Sequence, residues 1–165
     1  MKAKTQSAPR AYAGFIFFKM ILTALTTKEI IIRLLISLAF GAIIGLEREI
    51  KNCPAGLRTH SLVCVGATMF TLTSILLSGP NVDISRIAGQ VVVGIGFIGG
   101  GVIFQSKDSV VGLSTAASLW VTAAVGVIVG IGHDELAIAA IIITLFVLLG
   151  GSFIEKHLFH KKVTD

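Results

Sequence analysis

Five long apolar runs, separated by short polar breaks, set the pattern of the chain. They cover about residues 30–46, 61–77, 87–104, 113–131 and 136–154, and Arg33 is the only charge inside any of them. Each is roughly 17 to 19 residues long. That is close to the length a helix needs to cross about 30 Å of hydrocarbon. One such run could be a buried core helix. Five in so small a chain leave no polar layer to bury them, and only structures that satisfy their own backbone survive in lipid. The pattern predicts an all-α fold: a polytopic membrane helix bundle of about five transmembrane helices.

The breaks carry turn and capping signals. "EREIKNCPAGLRTH" (Glu47 to His60) is the longest, and "SGPNVDISR" contains Gly79, Pro80 and Asn81. "QSKDSVVG" and "GHDE" read as tight connections. Asp83 is placed to cap the third span and Asp134 the fifth. Residues 29–154 are expected to form the transmembrane domain, and residues 155–165 a basic amphipathic tail at the interface. Residues 1–28 form an N-terminal extension with two readings: residues 11–27 cross as a sixth span, or the natural start is Met20. A secretory signal fits poorly, because Lys19 splits the apolar stretch and no clear cleavage site follows.

Composition sharpens this picture. Charged residues are 14% of the 165 and apolar residues 54%, against about 25% charged in soluble domains. The net charge of +5 comes from residues flanking the apolar runs, not from a basic stripe, so a nucleic-acid partner is not expected and a lipid bilayer is. Cys53 and Cys64 form no C-x-x-C and have no His at zinc-site spacing. With five spans, one side gathers Arg48, Lys51, Arg58, Lys107, Lys156, Lys161 and Lys162. The other holds Arg86 and, from a Met20 start, Lys28. The positive-inside rule then puts the first loop and the C-terminus in the cytoplasm, and a sixth span gives the same orientation. Counting the whole N-terminal extension outside makes the rule indecisive.

"GIGFIGGG" (Gly94 to Gly101) contains G-x-G-x-x-G, the spacing of a dinucleotide loop. Such a loop needs an acid about 20 residues further on. Leu119, Trp120 and Val121 stand there instead. Helix packing reads the glycines better. Gly89, Gly96 and Gly100 share one helical face. Ser114, Ser118, Thr122, Gly126 and Gly130 repeat every four residues, as do Ser37, Gly41 and Gly45. Small stripes let helix backbones approach where lipid supplies no hydrophobic drive. They point to tight packing within one chain or in a homo-oligomer. A broken helix at Gly99, Gly100 and Gly101, binding an ion through backbone groups, is the compatible alternative. Trp120 lies well inside the fourth span and is expected to pack rather than anchor at the interface.

The polar residues suggest one site. Glu47, Arg48 and Glu49 end the first span, and Arg58, Thr59 and His60 begin the second, so both groups meet at one membrane face. Glu47 and Glu49 are candidate Mg²⁺ ligands, Arg58 suits a phosphate or headgroup, and His60 suits titration near neutrality. Solvated loop edges are the plain alternative. Glu29 and Arg33 form an i, i+4 pair. Arg86 and Gln90 open the third span, where a glutamine is costly unless it faces the bundle. No catalytic motif is present, so an enzyme is not expected, nor a cofactor other than Mg²⁺ as ligand or substrate.

"GAIIGLERE", "AGLRTHSLVCVGA", "SRIAGQVVVGIGFIGGGVIF" and "VVGLSTAASLWVTAAVGVIVGIG" together resemble the MgtC/SapB family of bacterial membrane proteins, across about residues 30–132. Ser114 stands where that motif more often has Thr. The chain resembles the short members without the soluble cytoplasmic domain, so regulation through that domain is not carried over. The resemblance implies a cytoplasmic (inner) membrane protein linked to magnesium. Members are associated with growth at low Mg²⁺ and, in some pathogens, with survival inside host cells. One is linked to inhibition of the proton-driven ATP synthase. Two functions follow as expectations: Mg²⁺ homeostasis, up to transport itself, or a non-transporting regulatory subunit bound to a larger membrane protein such as that synthase. The motifs mark Glu47, Arg48, Glu49, Arg58, Thr59, His60, Arg86, Gln90 and the glycines Gly94, Gly96, Gly99, Gly100 and Gly101.

Overall fold

The computed structural model describes residues 25–77, 83, 85–105 and 109–158. The expectations for a Met20 start, a span over residues 11–27, Lys107 and the end of the tail lie outside these residues.

Helix α1 (Thr27–Ile50) starts where the Thr26 hydroxyl accepts from Glu29 N at 3.2 Å. It outruns its apolar stretch and carries Glu47, Arg48 and Glu49 in its last turn. Helix α2 spans Leu57–Leu76 and α3 spans Ser85–Gly101. Asp83 opens α3 as expected: its Oδ1 accepts from Ser85 N at 2.9 Å and from Ser85 Oγ at 2.7 Å. Helix α4 (Leu113–Ile131) is bracketed by Gly112 and Gly132, with φ of 90° and 87°. Helix α5 runs Asp134–Leu158, into the expected tail. Asp134 begins it, but its buried Oδ1 has no hydrogen-bond partner, so it does not cap as expected. Four of these helices are long and apolar enough to cross a membrane. At 17 residues, α3 is about 25 Å long.

The "QSKDSVVG" break is more than a loop. Strands β1 (Phe104–Gln105) and β2 (Val110–Val111) pair antiparallel across it, Phe104 opposite Val111. Left-handed Gly112 then turns the chain into α4, where a side chain would strike the Val102 carbonyl.

Helix α2 lies between α1 and α4, and the small-residue stripes explain why. A Cβ on Gly41 would stand 2.6 Å from the His60 carbonyl oxygen, and one on Gly45 2.8 Å from Leu57 Cα. On the other side of α2, a Cβ on Gly126 would strike the Cys64 carbonyl, and one on Gly130 would stand 2.6 Å from Thr71 Cβ. Hydroxyls between these helices bond to main chain. Thr68 reaches Cys64 O at 3.0 Å and Gly126 O at 2.8 Å, while Thr71 donates to Ala67 O and Thr122 to Ser118 O. Ile44, Cys64, Val125 and Val129 fill the core with Ala137 and Ile141 of α5. Helix α3 packs on α2 and α4 through Ile95.

Two faces expected to pack lie open among the described residues. Among these residues, a Cβ on Gly89, Gly96 or Gly100 meets nothing within 4 Å, so contact for that face of α3 would come from elsewhere in the chain or from a second copy. Trp120 is 52% exposed and points away from the bundle. The four-residue repeat of α4 turns Ser118 and Thr122 toward α2 and leaves position 120 on the far side.

Candidate functional site

The end of α1, the loop 51–56, the start of α2 and the start of α4 meet at one end of the bundle. Arg48 is their centre, and its side chain is only 2% exposed. Its Nη2 donates to Cys53 Sγ at 2.7 Å and to Ser114 Oγ at 3.3 Å. Its Nη1 lies 3.6 Å from Glu47 Oε2. Glu47 is also buried, and its Oε1 lies 2.6 Å from Lys51 Nζ. Lys51 reaches on to the Leu148 carbonyl of α5 at 3.0 Å. One guanidinium and one ammonium thus tie α1, the loop, α4 and α5 together. Buried charges are tolerable only when paired in this way.

Glu49 has a different task. Gly56 precedes α2 and has no side chain to cap it. Glu49 Oε2 accepts from Leu57 N at 3.0 Å and fills the space beside Gly56. A carboxylate at a helix N-terminus satisfies an orphan donor and complements the dipole.

His60 is fully buried one turn into α2. Its Nδ1 lies 3.0 Å from the Gly56 carbonyl, so that nitrogen carries a proton. Nε2 lies 3.0 Å from Ser118 Oγ, which also lies 2.8 Å from Thr115 O. The neutral ring can accept the single Ser118 proton at Nε2. Both side chains are buried, so the pair joins α2 to α4 rather than facing a substrate. The neighbouring Thr115 Oγ1 is buried without a partner.

Of the six residues expected to act together, Glu47, Arg48, Glu49 and His60 surround this junction. Arg58 is exposed and Thr59 is half-buried. The two carboxylates proposed as Mg²⁺ ligands are engaged, one by cations and one by a helix end. Among the described residues no group of three His, Cys, Asp or Glu side chains could hold a metal. The sequence reading missed Lys51, Cys53 and Ser114 as partners. Lys51 stands four residues after Glu47, a spacing that could have revealed the pair. Nothing in the sequence pointed Cys53 or Ser114 at Arg48.

The α3 positions lie elsewhere. Arg86 and Gln90 are exposed at its start. Gly99 faces Ala116 at 3.6 Å, and Gly94 and Gly101 face open space. The helix is unbroken through Gly101. The Gly99 and Gly100 carbonyls accept from Val102 N and Ile103 N, so the chain is not broken at the glycines as the broken-helix reading expected. At the opposite end of the bundle, Arg33 meets Glu29 at 3.4 Å and donates to the Gly130 carbonyl at 2.7 Å. The expected edge pair is also a clamp on the C-terminus of α4.

Residues 34–157, all but the first turns of this bundle, match the family model described as the MgtC family. The chain belongs to the MgtC family. It is 44% identical over 129 residues to a protein of Escherichia coli K12 named "Putative magnesium transporter YhiD", covering 74% of this chain and 60% of that one. It is 47% identical over 115 residues to the protein MgtC of Salmonella typhimurium LT2, covering 70% and 49%. With MgtC of Brucella abortus the identity is 47% over 108 residues, covering 66% and 44%. The matched region is thus about half the length of these MgtC-family relatives. No solved structure matches the chain.

Proposed function

We propose that this membrane protein serves magnesium homeostasis in the bacterial cytoplasmic membrane. The observation that carries the proposal is the match over residues 34–157, which takes in most or all of each of the five described helices. A relative within that match bears a magnesium-transport name. The first loop and C-terminus are assigned to the cytoplasm on the Lys/Arg bias. An impermeant thiol reagent should leave Cys53 unlabelled in intact cells and label it after permeabilisation. Labelling in intact cells reverses the topology.

A regulatory role, through packing on a larger membrane protein or in a homo-oligomer, is favoured by where the acids lie. A cation path is ordinarily marked by an intramembrane acid. Among the described residues, Glu29, Glu47, Glu49, Asp83, Asp134, Glu135 and Glu155 all stand near helix ends or in connections. Transport is favoured by the name of YhiD. Glu47→Gln and Arg58→Gln should each insert normally yet impair growth at limiting Mg²⁺, in a host that depends on this protein. Normal growth of both variants at equal abundance removes the functional site, leaving Glu47 a structural ion-pair partner and Arg58 a solvated edge. Mg²⁺ flux into liposomes holding the purified protein, lost in the same variants, would establish transport. Its absence in the wild type supports regulation.

A further inference from the structure

The open glycines of α3 raise the question of what fills the space beside them. A cleft of about 560 Å³ runs between α2 and α3, with Ala123 of α4 at its base. Val63, Gly66 and Phe70 form one wall; Val91, Gly94 and Ile98 form the other. A Cβ on Gly66 or Gly94 would meet nothing within 4 Å, so the two glycines keep the cleft wide. A second hollow of about 320 Å³ is lined by Ser74, Asp83 and Arg86, and shares Ile87 and Gln90 with the first. The two hollows adjoin at Ile87 and Gln90, so an apolar length stands next to a polar end, and they are taken together as one slot. From Ile87 to Ile98 the apolar part is about 16 Å long at 1.5 Å per residue. That is about half of a 30 Å hydrocarbon core, the depth of one leaflet.

We propose that this slot holds one phospholipid, with an acyl chain between α2 and α3 and a headgroup bearing a primary ammonium at Arg86 and Asp83. The length and one-ended polarity fit a lipid in the leaflet opposite the first loop. A helix from a second copy would not need the polar end. The Arg86 guanidinium matches a phosphate in charge and fork geometry. The Asp83 carboxylate accepts from an ammonium and repels a singly anionic headgroup. The hydrogen bonds from Ser85 hold its carboxyl below the usual carboxylate range, so it is charged at neutral pH. Gln90 lines both parts of the slot, at the depth where its amide can donate to an ester carbonyl.

The test offers the purified protein equal amounts of phosphatidylethanolamine, phosphatidylcholine and phosphatidylglycerol with identical chains, and counts bound lipid by native mass spectrometry. One phosphatidylethanolamine per chain should be retained about tenfold over the other two, the scale of one charge-assisted hydrogen bond. Gly94→Leu and Gly66→Leu fill the slot from opposite walls, where the added atoms meet open space. Each should abolish retention while circular dichroism stays unchanged, and either suffices if the other misfolds. Arg86→Gln should lower retention about tenfold. Asp83→Asn keeps an acceptor for Ser85 but loses the charge, and should bring phosphatidylglycerol level with phosphatidylethanolamine. Equal retention of all three lipids by the wild type overturns the headgroup assignment. Undiminished retention in the glycine variants overturns the slot. A dimer that Gly94→Leu dissolves would give the slot to a second copy and overturn the lipid.

Discussion

Helices α3 and α4 are both rich in glycine and nearly equal in length, yet their glycines do opposite things. In α4, Gly126 and Gly130 press against the backbone and side chains of α2. In α3, a Cβ on Gly89, Gly94, Gly96, Gly100 or Gly101 would meet no other helix among the described residues, while Gly99 faces Ala116 of α4. One set removes volume so that helices can touch. The other removes it and leaves space. A stripe of small residues therefore announces close approach of something, and the partner need not belong to the same chain.

Substitution should separate the two kinds. Gly126→Leu drives a side chain into the Cys64 carbonyl, and backbone cannot give way as a flexible side chain can. Overpacking of this sort costs about 1–3 kcal/mol or more, read as a lowered melting temperature in detergent. Gly96→Leu should stay within about 0.5 kcal/mol of the wild type, as at an exposed site. Equal losses for the two would erase the distinction. Between these extremes lies the clamp at the far end of α4. Arg33→Met removes the bond to the Gly130 carbonyl and a cation from a helix C-terminus, about 1–2 kcal/mol together. Glu29→Gln touches only the 3.4 Å half-exposed pair and should cost less than about 0.5 kcal/mol. If Glu29→Gln costs as much as Arg33→Met, the ion pair matters and the clamp does not.

The helices were legible because membrane spans are written in length and apolarity, which are local properties. The stripes of α1 and α4 were legible because a four-residue repeat fixes a face. What the repeat does not encode is which partner occupies a face, and Gly96 has none among the described residues. Trp120 is similar: its place in the middle of a span says nothing about which way it turns. The polar junction was half legible. Glu47, Arg48, Glu49 and His60 stand near one another because two span ends adjoin a short loop. The tasks they perform depend on Ser114 and Ser118, which arrive from more than fifty residues away. The short strand pair across residues 104–111 left no readable alternation, since two residues per strand are too few to show a period.

The position of His60 bears on the order in which the bundle can be assembled during synthesis. Gly41 and Gly45 can dock on α2 as soon as the first two helices exist. The opposite face of α2 has to wait for α4. Most of its polar groups can wait in lipid, because Thr68 and Thr71 donate to carbonyls of their own helix. His60 Nε2 has Ser118 as its partner, and Ser118 has not yet been made. Until it is, Nε2 lacks the partner that it has in the folded bundle. That polar contact on the face of α2 can therefore form only after α4 has emerged, some sixty residues later.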